Sequence, residues 1–175
     1  MKHLIAAFVL AAAAHGGQPE PTSALKPLEY FAGSWIGEEA ASFGKGQGER
    51  EYRFILQGRY LISQNTSRFP PQGGRAAEVH EDWTVFSYDA ARKAFVVRQF
   101  NSEGFVNTLV MEPGSVVPRK MRFVGESSEN APKGTEVVLE FEVVNDGEFA
   151  ERFEVRFPGQ SEPIEIRNRW RRVQR

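Results

Sequence analysis

The chain reads as an all-β domain: an antiparallel up-and-down barrel of about ten strands, with one short helix near its amino end. Three observations predict it. Apolar residues recur with a period of two through most of the chain, and show helical spacing clearly only at Leu25, Leu28 and Phe31. The apolar segments are separated by short clusters of Gly, Pro, Asn and Asp, too brief to hold a crossover helix, so neighbouring strands run antiparallel. Hairpin connections dominate, which favours a barrel over a two-sheet sandwich because closure removes both open edges. A barrel of about ten strands is wider than side chains easily fill, so a central cavity is expected.

Composition narrows the classes. The chain has 175 residues with 41% apolar content, enough for one packed core and one domain. Its 22 Lys and Arg against 23 Asp and Glu give a net charge of −1, which argues against nucleic acid as a partner. There is no Cys. Disulfides, thiol catalysis and thiolate metal sites are therefore excluded.

At the amino end, Met1-Lys2-His3 is a short basic lead, Leu4 to Ala14 is apolar, and Ala12-Ala13-Ala14 offers small residues to a signal peptidase. Residues 1–14 are expected to be a cleavable signal peptide that directs the protein to the periplasm or outside the cell. The apolar run falls short of the roughly 20 residues a membrane-spanning helix needs. Residues 15–22, rich in Gly and Pro, read as a flexible leader, and residues 23–175 as a single barrel domain.

Ser23 to Phe31 predicts a short helix, with Pro27 early enough to be tolerated, placed to cover an open barrel end. Gly33 to Glu38 starts the first strand, its glycines implying close backbone approach. A glycine-rich loop is expected over Phe43 to Gly48. Arg50 to Leu56 and Arg59 to Arg68 form a hairpin about Gln57-Gly58. Glu81 to Met111 is a three-segment meander, and Arg119 to Glu126 is a further strand. Thr135 to Val144 and Glu148 to Phe157 flank the hairpin signal Asn145-Asp146-Gly147, and Glu162 to Val173 closes the chain.

The order of Gly33-Ser34-Trp35-Ile36-Gly37, Gln57-Gly58-Arg59-Tyr60-Leu61 and Tyr88-Asp89 resembles the calycin-like, lipocalin-like bacterial barrels of the DUF1579 and nitrobindin groups, similar to the THAP4 haem-binding domain. The likeness runs from Leu25 to Arg172. It implies a ten-stranded barrel with a central pocket. In the haem-binding members a His on a late strand ligates iron, and the bound haem reacts with nitrogen oxides. No His follows His80 in this chain, so the implied haem lacks its ligand and no cofactor is expected.

Parity names the candidate pocket residues. If Trp170 faces inward, so do Ile164, Ile166 and Asn168, and on the preceding strand Phe149, Glu151, Phe153, Val155 and Phe157. Glu151 and Asn168 are then polar groups in an aromatic interior, where they must bond each other, water or a ligand. Trp35, Tyr52, Phe54, Tyr60, Phe95 and Phe123 are candidate walls, and Arg98 is a candidate for orienting an anionic ligand. His80 is a weak candidate metal ligand. It shares a strand face with Glu78 and Asp82, and that face is expected in solvent because Val79, Trp83 and Val85 oppose it. The arginines of the last strand read as a wet outer face. No catalytic motif stands out: there is no nucleophile elbow and no phosphate loop.

The expected function is binding of a small hydrophobic or amphipathic molecule without catalysis. Two alternatives are haem-dependent nitrogen-oxide chemistry and an envelope scaffold with a packed interior. The reading also leaves room for a homodimer.

Overall fold

The computed structural model describes residues 19–41 and 44–174; the expected signal peptide lies outside them. Ten strands, β1 (Gly33–Ala41), β2 (Gly44–Ile55), β3 (Tyr60–Phe69), β4 (Glu78–Asp89), β5 (Ala94–Asn101), β6 (Val106–Met111), β7 (Lys120–Glu129), β8 (Glu136–Asn145), β9 (Glu148–Arg156) and β10 (Ile164–Arg172), form an antiparallel meander. It closes on itself. β1 pairs with β10, setting Trp35 opposite Arg172 and Gly37 opposite Trp170, so no edge strand remains.

β2 begins at Gly44, so the glycine-rich stretch expected as a loop is mostly strand. The reason is steric. A Cβ on Gly37 would stand 2.6 Å from the Trp170 ring, one on Gly48 2.5 Å from the same indole, and one on Gly46 2.7 Å from Phe69. Glycine there leaves inward space that the large side chains of neighbouring strands occupy.

The predicted helix is a 3-10 turn, Lys26–Phe31, which buries Leu25, Leu28 and Phe31 in one end of the barrel. Several bonds fasten this plug. Trp35 donates its indole N–H to the Phe31 carbonyl at 2.7 Å, and the Tyr30 hydroxyl lies 2.8 and 2.9 Å from the carbonyls of Asn145 and Glu148. Arg172 bonds the Ala32 and Tyr30 carbonyls while its guanidinium stacks 4.2 Å from the Trp35 ring centre. Residues just before the plug also pack: the Thr22 amide donates to the Gly58 carbonyl at 3.0 Å.

Outside, the last-strand arginines are paired much as a wet face would be. Arg167 meets Glu165, Arg169 meets Glu148, and Arg171 meets Glu38. Among the described residues no helix is long and apolar enough to cross a membrane.

Candidate ligand-binding site

The barrel interior has two unlike halves. Below, against the plug, Phe31, Trp35, Tyr52, Phe86, Phe123, Phe141 and Phe149 pack edge to face or tilted, with centroids 4.7–6.4 Å apart. Above, the same strands turn polar. Here lies a cavity of about 310 Å³, with Glu39, Arg50, Asn65, Ser67, Asp82, Glu151 and Asn168 on its polar side. Phe69, Phe105, Phe153, Val155, Phe157, Ile164 and Ile166 supply its apolar wall.

Arg50 is the hub of the polar side. It faces inward because it shares the β2 parity of Tyr52 and Phe54. Its guanidinium lies 4.1 Å from the centre of the Trp170 ring and pairs with both oxygens of Glu151, side chains only 7% and 5% exposed. It also donates from Nε to Asn65 Oδ1 at 3.2 Å and from Nη1 to the Tyr52 hydroxyl at 3.1 Å. Asn65 passes the network on, donating from Nδ2 to Asp82 Oδ2 at 2.8 Å and to Ser67 Oγ at 2.9 Å. Ser67 in turn donates to Glu39 Oε1 at 2.6 Å, and Thr84 donates to Asp82 Oδ1 at 3.1 Å.

Asn168 donates from Nδ2 to Glu151 Oε1 at 3.0 Å. The opposite amide orientation would aim its carbonyl at a carboxylate, so this bond fixes the flip. The Asn168 Oδ1 is left buried without a hydrogen-bond partner among the described residues, in a residue 7% exposed. Ser63 Oγ and Trp170 Nε1 are similarly orphaned, but of the three residues only Asn168 lines the cavity.

Burial sets the protonation behaviour. It pushes the carboxyls of Glu39 and Asp82 above their ordinary values, with Ser67, Asn65 and Arg50 only partly offsetting it. The Tyr52 hydroxyl is pushed up to about 12 by the same effect. For Arg50 burial opposes the charge, yet the surrounding acidic groups, Glu151 first, outweigh it and hold the guanidinium well above its usual range. The site therefore keeps Arg50 charged.

Of the residues the sequence singles out, Glu151, Phe153, Val155, Phe157, Ile164, Ile166 and Asn168 line the cavity, and of the three partners open to Glu151 and Asn168, each other, water or a ligand, the structure shows the first. Trp35, Tyr52, Phe54, Phe95, Phe123 and Trp170 face inward but belong to the packed core below it. Tyr60 and Arg98 fall on the outer face. Tyr60 alternates with the inward Leu61, Ser63 and Asn65, while Arg98 is exposed beside Ser87. Both lie next to apolar pairs that hide the alternation.

The reading of β4 is inverted. Asp82, Thr84 and Phe86 point inward, and Val79 and Trp83 stand in solvent, 54% and 52% exposed. The apolar-inside rule fails because this end of the interior is itself polar. His80 consequently sits at the cavity mouth, edge-on to Phe69, with Nδ1 bonded to Glu103 and Nε2 3.3 Å from Glu78. Burial lowers its basicity, but the two carboxylates outweigh that and raise its pKa. Among the described residues no cluster of three or more His, Cys, Asp or Glu could hold a metal ion.

The residues do not fit haem. The one His at the cavity has a carboxylate against each ring nitrogen, and the polar side offers carboxylates, amides and a guanidinium rather than an axial ligand. Sequence reasoning missed Arg50, Glu39, Asn65, Ser67 and Asp82. For Arg50 the signal was present, in its parity with Tyr52 and Phe54.

No family model matches the chain, and no curated protein matches it. Among solved structures, the chain is similar to the crystal structure of Rv2717c from M. tuberculosis, with a TM-score of 0.68 at 16% identity over 89% of this chain and 100% of that one. A de novo designed fluorescence-activating β-barrel aligns over 83% of this chain and 95% of its own at 15% identity, with a TM-score of 0.32. The first likeness establishes the fold alone, in keeping with the closed ten-strand antiparallel meander.

Proposed function

We propose that this chain is an exported barrel that binds a small hydrophobic or amphipathic molecule in its cavity and releases it unchanged. The observation that carries the reading is a cavity of about 310 Å³ with an apolar wall facing a hydrogen-bonding polar side, above a floor of packed aromatic rings. A preformed concave site of that size, mostly apolar with a few convergent polar groups, suits burial of a small amphipath. Each Å² of apolar surface removed from water there contributes about 25 cal/mol. The polar groups fix orientation.

Two features bear on the alternatives. A scaffold with a filled interior does not accord with the cavity, and haem chemistry lacks a ligand. The location rests on the basic-apolar-small pattern of residues 1–14. Native mass spectrometry of protein purified from the cell envelope tests the proposal. A retained mass of lipid size together with cleavage after Ala14 is the expected result, and an empty barrel found uncleaved in the cytosol would refute it.

A further inference from the structure

Resting on the reading of the cavity as a binding site, we infer that the polar end of its ligand is a cationic nitrogen, such as the ammonium of an alkylamine, seated among Glu39, Asp82 and Asn168.

The cavity is out of balance in both charge and hydrogen bonds. Among the described residues five carboxyl groups line the cavity, Glu39, Asp82 and Glu151 on the polar side and Glu81 and Glu103 by His80, against the guanidinium of Arg50 and the His80 imidazole, which Glu103 already engages. Arg50 is already committed, paired with Glu151 and donating to Asn65 and Tyr52. Among the described residues, Glu39 and Asp82 receive only hydroxyl and amide donors, from Ser67, Thr84 and Asn65. A carboxylate can accept about four hydrogen bonds, so acceptor capacity remains on both.

Independent of that cluster is the orphan Asn168 Oδ1, an acceptor held in place by the Nδ2 bond to Glu151 and buried in the cavity lining. A buried acceptor left unbonded is costly to folding, so a residue fixed in this state is poised for a donor that arrives with the ligand. An ammonium brings up to three N–H donors and a positive charge, and so answers both deficits. A carboxylate or phosphate head would bring the wrong sign and further acceptors. The apolar remainder of such a ligand would run along Phe153 and Ile166 toward Phe105, Phe157 and Ile164. Burial first, and the Glu151 carboxylate after it, displace the Glu39 and Asp82 carboxyls upward, and a cation beside them would act in the opposite sense.

The test is displacement of N-phenyl-1-naphthylamine fluorescence from the mature protein by decylamine, decanol and decanoate at neutral pH. Decylamine is expected to compete about tenfold better than decanol, equivalent to ~1.4 kcal/mol, and decanoate worst. Glu39→Gln and, separately, Asp82→Asn should each narrow the amine-to-alcohol ratio, with circular dichroism verifying the fold; narrowing in neither folded variant would overturn the seat. Should decanol or decanoate match or beat decylamine on the wild-type protein, the cationic preference is wrong while the carrier reading stands. If neither the probe nor any of the three chains binds, the carrier reading fails and this inference with it.

Discussion

The closed half of the barrel and its open half are built on the same ten strands yet solve opposite problems. Below, inward positions carry Trp35, Phe86, Phe123, Phe141 and Phe149, which fill the space so fully that the rings contact one another in every direction. Above, the same strands carry Glu39, Asp82, Glu151 and Asn168, and the space stays partly empty. Stability and recognition are thus segregated along the barrel axis. The aromatic floor supplies burial energy, so the upper half can carry buried polar groups that by themselves oppose folding.

The comparison is broken most severely from below. Phe149 is fully buried and touches Phe31, Trp35, Tyr52, Phe141 and Trp170. Phe149→Ala is expected to cost about 3–5 kcal/mol, read as a lowered midpoint in urea denaturation. A loss below about 1 kcal/mol would mean the floor is far looser than the ring contacts imply.

Of comparable size is the effect at the Arg50–Glu151 pair, where the halves meet. Arg50→Met leaves the Glu151 carboxylate buried opposite no cation and should destabilise by about 3–5 kcal/mol. Adding Glu151→Leu should recover much of that loss, because the pair's desolvation cost disappears with its attraction. A double variant no more stable than Arg50→Met would show that the pair contributes by packing alone.

How much of this is legible in the sequence depends on which half a strand serves. Parity places Trp170, Asn168 and Glu151 correctly because β9 and β10 carry large apolar residues on one face and charges on the other along most of their length. In β4 the signal reverses. Val79 and Trp83 face solvent, Trp83 opposite Phe100 on the outer wall, while Asp82 faces in. Only Thr84 and Phe86, continuing the Asp82 parity down to the floor, report the true direction. The cavity's polar side is harder still to foresee. Glu39, Ser67 and Asp82 come together from β1, β3 and β4 through registers that no local pattern specifies.

A pH experiment separates the halves with a smaller effect. Burial raises the folded-state pKa of Glu39, so the folded chain holds that proton more tightly than the unfolded chain. The associated stability is fully present below the ordinary glutamate range and is lost as pH rises through the raised value. Asp82 acts in the same sense, while Arg50, Glu151 and Tyr52 also face this network. Glu39→Gln should therefore raise Tm at pH 7, by about 2–4 °C for each kcal/mol gained. The gain should shrink as pH falls into the range where wild-type Glu39 is protonated. The carboxylates of Glu78, Asp89, Glu140, Glu148 and Glu165, whose hydrogen bonds, chiefly with arginines, hold their pKa values down, contribute stability that is lost as pH falls; they are common to both proteins and cancel in the difference. A Tm difference independent of pH would mean that Glu39 acts through shape rather than charge.

The smallest expected effect tests the assignment of faces itself. Arg98 stands on the outer wall of β5, exposed, with Ser87 Oγ 3.4 Å from Nη1, while its neighbours Val97 and Gln99 share the inward parity. Surface substitutions away from caps, cores and networks usually stay within about 0.5 kcal/mol. Arg98→Ala should accordingly leave both the denaturation midpoint and N-phenyl-1-naphthylamine affinity unchanged, whereas Gln99→Leu, one residue along and lining the cavity, should alter probe affinity. Were Arg98→Ala to change the affinity and Gln99→Leu not, the register of β5 would be off by one residue. Every inward side chain of that strand, Phe95 and Val97 in the floor included, would then have to turn outward, which their burial in the aromatic core does not permit.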